Sequence, residues 1–180
     1  MITIIQGTNR PDSNTEFVSR QLQDLINMMY SGPVGYVSMS DLPPEILHSD
    51  PYDGGSMPRK LVNIQDQFLI PAEKLVWIIP EYNGSFPGVL KLFIDALSVR
   101  NPAQTFAGKK STVIGITTGR SGNIRGIDHL VSVLMHLRSV IYPRLLPISR
   151  ITDLIDEEKN LINEATIRVL DDHLRGFLDF

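Results

Sequence analysis

The stretch LVWIIPEYNGSFPG, at residues 75–88, is the clearest indication of the fold class, because its pattern is that of a buried strand joined to a helix start through a polar loop. Its first five residues are all apolar, which is the pattern of a β-strand covered on both faces. Pro87 favours the first turn of a helix, which the apolar spacing predicts over residues 89–97. A buried strand that leads directly into a helix is typical of a parallel sheet with helices on its faces.

The same alternation of strands and helices extends along the rest of the chain. Short β-branched and apolar runs predict four further strands, at residues 1–5, 34–39, 113–117 and 140–148. Apolar residues at helical spacing predict further helices at residues 17–29, 127–137 and 161–177. We therefore predict an α/β fold of the doubly wound type, in one domain that spans residues 1–180. Ligands of such folds bind beyond the carboxyl ends of the strands.

Three stretches are predicted to depart from this regular pattern. Pro143 and Pro147 indicate an edge or irregular position for the fifth strand, because proline cannot donate a hydrogen bond to a sheet. Residues 40–58 hold four prolines without periodicity and are predicted to form a long loop. Lys109 and Lys110 are predicted to lie in a solvated turn before the fourth strand.

The composition excludes several classes of function. The chain has 180 residues and no cysteine, which rules out disulfide scaffolds, cysteine-ligated metals and thiol catalysis. The four histidines lack metal-ligand spacing, so no metal site is predicted. The net charge of −3 argues against nucleic acid as a partner. With no apolar run near the ~20 residues of a membrane span and no signal peptide evident, we expect no membrane partner and a cytoplasmic protein.

The first candidate site is the loop GTNRPDSNT, residues 7–15, between the first strand and its helix. A helix N-terminus attracts phosphate, and hydroxyls with one arginine suit a terminal monophosphate. The spacing fits neither a dinucleotide fingerprint nor a Walker loop. The alternative is that Ser13 or Asn14 only caps the helix. The candidate residues in this loop are Thr8, Asn9, Arg10, Ser13, Asn14 and Thr15.

The second candidate site is the loop PEYNGSFPG, residues 80–88. Tyr82 and Phe86 offer flat apolar surface beside polar edges and exposed backbone, which a planar heteroaromatic ring needs. The alternative is a surface turn with both aromatic rings folded back onto the core. The candidate residues in this loop are Pro80, Glu81, Tyr82, Asn83, Gly84 and Ser85.

The third candidate site is the loop TTGRSGNIRG, residues 117–126, after the fourth strand. Its glycines let the backbone approach a ligand closely, and Arg120 and Arg125 suit an anionic ring edge or a second phosphate. A hydrolase nucleophile elbow is not favoured, because Asn123 replaces its last glycine. The candidate residues in this loop are Thr118, Gly119, Arg120 and Gly122.

These three loops resemble the motifs of the NADPH-dependent FMN reductase family of the flavodoxin-like superfamily, which includes FMN, quinone and azo reductases. The first motif, roughly G-S-x-R-x-x-S-x-N, is met by Gly7, Thr8, Arg10 and Ser13, with Thr15 in place of asparagine. The second motif, P-E-Y-N-x-S-x-P-G-x-L-K-x-x-I-D, is met by Pro80, Glu81, Tyr82, Asn83, Ser85, Pro87, Gly88, Leu90, Lys91, Ile94 and Asp95. The third is met loosely by Thr118, Gly119, Arg120 and Gly122.

The resemblance covers about residues 1–150 and implies both a fold and a cofactor. The fold is a flavodoxin-like three-layer doubly wound sandwich with a five-stranded parallel sheet of order 2-1-3-4-5. One FMN per subunit is implied, with its phosphate at the first loop and its ring between the second and third loops. The resemblance also implies NAD(P)H as co-substrate, a small-molecule acceptor such as a flavin or quinone, and homodimers or homotetramers.

The function expected first is an FMN-dependent oxidoreductase that passes hydride from NAD(P)H to an acceptor. Because a cofactor carries such chemistry, no acid–base catalyst is predicted, and Arg120 is expected to stabilise negative charge on the ring. One alternative is a flavodoxin-type electron carrier, although Arg10, Arg120 and Arg125 make the loops more basic than in such carriers. Another is a non-catalytic binding module, whose acidic segment at residues 151–180, with 8 acidic and 3 basic side chains, contacts a partner.

Overall fold

A single parallel sheet organises the computed structural model, which describes residues 1–47 and 57–180. Its strands are β1 (Ile2–Gln6), β2 (Val34–Ser38), β3 (Lys74–Pro80), β4 (Lys110–Ile116), β5 (Val140–Ile141) and β6 (Leu146–Ile148). They follow the order β2-β1-β3-β4-β5, with β6 also paired to β4, and every pairing is parallel. The predicted order 2-1-3-4-5 is therefore confirmed.

Helices cover both faces of this sheet. They are α1 (Asn14–Met29), α2 (Arg59–Ile64), α3 (Gly88–Val99), α4 (Pro102–Thr105), α5 (Ile124–His136) and α6 (Glu164–Asp179). Along β3, Leu75 and Trp77 face the core shared with α2, α3 and α5, whereas Val76 faces the core shared with α1 and α6. All three side chains are fully buried, which confirms that this strand is covered on both faces. Among the described residues, each helix is too short or too polar to span a lipid bilayer.

The predicted fifth strand at residues 140–148 is wrong as one continuous element. β5 pairs with Lys110 and Ser111, and β6 pairs with Ile114 to Ile116, so residues 142–145 oppose only two residues of β4. The extra residues bulge out of the ladder, and Pro143 within them has no N–H to donate. Likewise, β2 ends at Ser38 rather than at residue 39, because a 3₁₀ turn over Met39–Asp41 follows it.

Helix α2 was not predicted, and it continues into a π-helical turn at Gln65–Leu69. The Gln65 side chain is fully buried, and its amide nitrogen donates to the carbonyl oxygen of Leu97 at 3.0 Å and to Thr105 Oγ1 at 2.7 Å. These bonds tie α2 to the end of α3 and to α4. Of the loop predicted at residues 40–58, Pro44–Leu47 forms a 3₁₀ turn, and residues 48–56 lie outside the described residues.

The prediction of a solvated turn at Lys109 and Lys110 is wrong. Lys109 is only 9% exposed, and its ammonium donates to the carbonyl oxygens of Ile70, at 2.9 Å, and Ala72. Burial lowers the pKa of Lys109. Lys110 begins β4, and its ammonium donates to the carbonyl oxygen of Phe180 beyond the end of α6. Both lysines therefore close the amino end of the sheet.

Candidate active site at the carboxyl end of the sheet

A cavity of about 310 Å³ lies where β1, β3 and β4 end. This is the edge at which doubly wound folds bind their ligands. Residues of all three predicted loops line it, together with two residues of the C-terminal segment. The lining residues are Thr8, Arg10, Asp12, Ser13, Asn14, Thr15, Pro80, Glu81, Tyr82, Ile116, Thr117, Thr118, Ile151 and Lys159.

The first loop presents anion-binding groups to the cavity. Ser13 Oγ accepts from the N–H of Glu16 at 3.1 Å, so Ser13 caps α1 as the alternative interpretation expected, and it also lines the cavity. The N–H groups of Asn14 and Thr15, in the first turn, have no acceptor within the helix. Arg10 is exposed, and no carboxylate of residues 1–47 or 57–180 lies within 4 Å of its guanidinium.

The second loop is a tight turn. The N–H of Tyr82 donates to the carbonyl oxygen of Ser85 at 2.8 Å, and the N–H of Ser85 donates back to Tyr82 at 3.1 Å. Asn83 and Gly84 at the tip have φ values of 52° and 75°, as asparagine–glycine turns require. Phe86 packs against the core, so the core interpretation holds for that ring alone. The Tyr82 ring instead lines the cavity.

The third loop contributes mainly its first two residues. Thr117 and Thr118 line the cavity, whereas Arg120 is exposed outside it. Gly122 has a φ of 62°, and a Cβ there would lie 2.6 Å from Cβ of Pro147, so this glycine is needed for packing. Buried Asn123 follows, and its side-chain amide donates to the carbonyl oxygen of Ile79 at 3.2 Å, which ties the loop to β3.

Side-chain hydrogen bonds join the three loops into one wall. Thr8 Oγ1 and the Tyr82 hydroxyl share a bond at 2.6 Å, which links the first loop to the second. Ser121 Oγ donates to Glu81 Oε2 at 2.5 Å, which links the third loop to the second. The loops are therefore positioned relative to one another by contacts within the chain.

The structure brings nine of the sixteen predicted site residues together around the cavity, and the other seven lie outside its lining. The nine are Thr8, Arg10, Ser13, Asn14, Thr15, Pro80, Glu81, Tyr82 and Thr118. The seven are Asn9, Asn83, Gly84, Ser85, Gly119, Arg120 and Gly122. Among these, Ser85 Oγ shares a hydrogen bond with His129 Nδ1 at 2.9 Å.

Five lining residues were missed by sequence reasoning. Ile116 and Thr117 stand at the end of β4, so the strand-end rule could have found them. Asp12 lies inside the first loop. Ile151 and Lys159 belong to the acidic C-terminal segment, where no motif marks them, and only the fold brings them to the cavity.

The chain matches a known protein family and several known proteins. The model of the family "NADPH-dependent FMN reductase" matches residues 1–153. An NAD(P)H-dependent FMN reductase of Pseudomonas aeruginosa is 31% identical over 175 residues, which cover 97% of this chain and 86% of the relative. A 2-hydroxy-1,4-benzoquinone reductase of a Burkholderia species is 29% identical over 180 residues, which cover 99% of this chain and 92% of the relative.

The solved structure of FerB, a flavoenzyme NAD(P)H:acceptor oxidoreductase from Paracoccus denitrificans, has a similar fold. It superposes with a TM-score of 0.80 at 24% identity, covering 99% of this chain and 94% of FerB. The likeness extends through α6, beyond the last residue matched by the family model.

Proposed function

The chain belongs to the NADPH-dependent FMN reductase family, and from that premise we propose that the cavity at the carboxyl end of its sheet is the FMN site of a quinone reductase. The chain is an oxidoreductase with FMN as cofactor and NAD(P)H as co-substrate. Its general reaction is the transfer of hydride from NAD(P)H through FMN to an acceptor.

The chemistry of the donors around the cavity fits FMN. A flavin phosphate needs hydroxyl, N–H and cationic donors, and the first loop supplies all three kinds at one end of the cavity. We assign phosphate binding to Thr8, Arg10, Ser13, Asn14 and Thr15.

The groups that the second and third loops present to the cavity suit the flavin ring. Tyr82 lines the cavity and offers a flat ring, and Thr117 and Thr118 line it with hydroxyl groups. The support for this assignment is the order of the loops, with anion donors at β1 and flat or polar groups at β3 and β4.

Bound FMN supplies the redox chemistry, because it accepts hydride from a nicotinamide and donates it to an acceptor. The chain's own residues bind the cofactor and orient it. The hydrogen bond from Ser121 to Glu81 holds the second and third loops together at the ring end, and the bond between Thr8 and Tyr82 sets the spacing of the phosphate end. Since these contacts exist within the chain alone, the site is preorganised for the cofactor.

We propose a small quinone as the acceptor, in keeping with the activity named for the Burkholderia relative. We propose that Arg120 and Arg125 form the rim of the cavity, because both are exposed residues of the third loop, whose Thr117 and Thr118 line it. Arg125 Cδ lies 4.0 Å from the position of a Cβ on Gly84 in the second loop. Cations at the mouth of a site attract anionic ligands. A hydroxylated benzoquinone is an acid that is anionic at neutral pH, so it fits this rim better than an uncharged quinone does.

The assembly proposed for this enzyme is a homodimer or homotetramer. Large apolar side chains are exposed on helices α3 and α5, with Val99 at 42% and Met135 at 62%. We propose that a second subunit covers these side chains. Light scattering over a range of protein concentrations tests this, and a monomer at all concentrations would contradict it.

The test of the function is an anaerobic titration of FMN-loaded protein. We expect NADH or NADPH to bleach the flavin absorbance, and 2-hydroxy-1,4-benzoquinone to restore it. Replacing both rim arginines by Ala should lower kcat/KM for this anionic quinone about 3- to 10-fold more than for 1,4-benzoquinone. Protein that takes up FMN but is not bleached by either nicotinamide would contradict the enzyme and favour an electron carrier.

A further inference from the structure

We propose that Lys159, in the C-terminal segment beyond the family match, is a phosphate-binding residue that makes this chain select FMN over riboflavin. The family model ends at residue 153, so nothing in that match assigns a role to Lys159. The proposal rests on the phosphate site described above. Three observations support it: the turn that holds Lys159, the hydrogen bonds of this turn to Gln21 on α1, and the position of the Lys159 ammonium group.

Lys159 lies in a tight turn whose two ends are paired by a single antiparallel β-bridge. Ile155 and Leu161 form an isolated antiparallel bridge, and the N–H of Lys159 donates to the carbonyl oxygen of Asp156 at 3.0 Å. The Asp156 carboxylate accepts from the N–H of Asn160 at 2.7 Å. Lys159 itself has a φ of 64°, a conformation that glycine or asparagine adopts more readily. The turn therefore carries a lysine where local backbone preference does not favour one.

One side chain of α1 fixes this turn in place. Gln21 Oε1 accepts from the N–H of Leu161 at 2.8 Å, and Gln21 Nε2 donates to the carbonyl oxygen of Lys159 at 3.0 Å. Both polar atoms of a single amide are thus used to hold the main chain around Lys159. The backbone of this residue is attached to the same helix whose first turn lines the cavity.

The ammonium group of Lys159 reaches back to the first loop. It donates to the carbonyl oxygen of Asp12, 147 residues earlier in the sequence, and lies 4.7 Å from the centre of the Phe17 ring. The side chain lines the same cavity as Arg10 and Ser13. A lysine ammonium has three N–H donors, and Asp12 accepts only one of them.

Two cations therefore border the phosphate end of the cavity, one from each end of the chain. A phosphate monoester carries a charge of about −1.5 to −2 at neutral pH, which a single arginine does not balance. Asp12 also lines the cavity, so the second cation further offsets the negative charge of that carboxylate. Each charge-assisted hydrogen bond to the phosphate is worth about a 10- to 100-fold change in affinity.

The test compares FMN with riboflavin, which has the same ring but no phosphate. Flavin fluorescence is titrated with flavin-free protein, and the ratio of the two dissociation constants is measured for each variant. Lys159→Met keeps an unbranched aliphatic side chain but removes the ammonium group, including its contact with the Phe17 ring. It is expected to weaken FMN binding about 10-fold or more while leaving riboflavin binding within about 2-fold. It should also reduce the salt dependence of FMN binding.

Matched variants separate charge from structure. Lys159→Arg keeps the cation and should preserve the preference for FMN, whereas Lys60→Met removes an exposed cation on α2 and should change nothing. Lys159→Gln serves as the second neutral variant should the methionine variant fail to fold. Equal losses for FMN and riboflavin, or no loss for either, would overturn the role of Lys159. A wild-type chain that binds the two flavins equally well would instead show that the proposed phosphate site is wrong.

Discussion

The two ends of the sheet use the same kind of side chain for opposite purposes. At the amino end, Lys74, Lys109 and Lys110 donate to main-chain carbonyl oxygens of the fold. At the carboxyl end, Arg10 and Lys159 line an open cavity, and Lys159 uses only one donor for a main-chain oxygen, that of Asp12. A count of basic residues does not distinguish these two roles. They are distinguished by whether the cation lies at the amino or the carboxyl end of the strands.

Helix direction explains the difference. Helix α6 ends at the amino end of the sheet, where the carbonyl oxygens of Phe177 and Phe180 meet the ammonium groups of Lys74 and Lys110. Cations stabilise the negative end of a helix dipole. Helix α1 begins at the carboxyl end, where its free N–H groups favour an anion. The chain itself thus closes one end of the sheet, and we propose that the cofactor binds at the other.

The largest effect is expected at the closed end, from Lys109→Met. Removal of the ammonium leaves the carbonyl oxygens of Ile70 and Ala72 without their donor, which costs about 2–4 kcal/mol of unfolding free energy. Urea denaturation measures the loss, with exposed Lys60→Met as the control that should change stability by less than about 0.5 kcal/mol. If the two variants were equally stable, the closed end would not depend on its buried lysine.

A second prediction concerns acid stability, which we assign to the half of the molecule that holds α6. His173 is 2% exposed and shares a hydrogen bond with Thr112 Oγ1 at 2.8 Å. Burial, with a smaller contribution from Arg144, lowers the pKa of His173 from 6.5 to about 4. Between these values the unfolded chain takes up a proton that the folded chain does not, so stability falls as the pH falls from about 6.5 to 4.

Because the two pKa values differ by this amount, the free energy of unfolding should fall by about 3 kcal/mol over this pH range. His173→Gln keeps a hydrogen-bonding side chain but does not titrate, so its stability should depend less on pH in this window. Urea midpoints at pH 7 and pH 4.5 measure the difference. Identical pH slopes for variant and wild type would assign the acid sensitivity to other groups.

At the open end, Arg10→Ala is expected to lower affinity rather than stability. The lost charge-assisted hydrogen bond should weaken FMN binding by about 1.5–3 kcal/mol, with unfolding free energy unchanged within about 0.5 kcal/mol. Isothermal calorimetry with FMN and riboflavin measures it, and Arg168→Ala, exposed on α6 beside Glu164, is the control. A parallel loss for riboflavin would place Arg10 away from the phosphate.

The smallest effect is expected from Tyr82→Phe, which keeps the ring but removes the hydrogen bond to Thr8. Because this bond spaces the first and second loops, FMN affinity should fall by about 0.5–1.5 kcal/mol. The same calorimetric titration detects this change. No loss at all would show that the loops are spaced by other contacts.

The sequence predicted the sheet well because its central strands carry strong local signals. Leu75 to Ile79 are apolar at every position, which is the pattern of a parallel strand buried on both faces. The broken fifth strand was harder, since Pro143 and Pro147 predict irregularity but not where the register changes. Lys109 was misplaced because adjacent lysines usually mark a surface, and only the packing shows carbonyl oxygens that need a donor.

The site was predictable as far as it follows the strand ends. Thr8, Arg10 and Tyr82 were found because polar loops after parallel strands meet at one edge. Gly122 shows the limit of that reasoning. Its sequence context suggested that a ligand approaches the backbone there, but the structure shows that glycine is needed because Pro147 packs against it. Lys159 shows another limit, because its place depends on hydrogen bonds to Gln21, far away in the sequence.

A crystal structure of the FMN complex would show whether the flavin occupies the cavity at the carboxyl end of the sheet. We expect the phosphate within hydrogen-bond distance of Thr8, Arg10 and Ser13, and the ring beside Tyr82 and Thr118. A flavin bound elsewhere, for example in the apolar groove between β6 and α6 that Val169 lines, would contradict it.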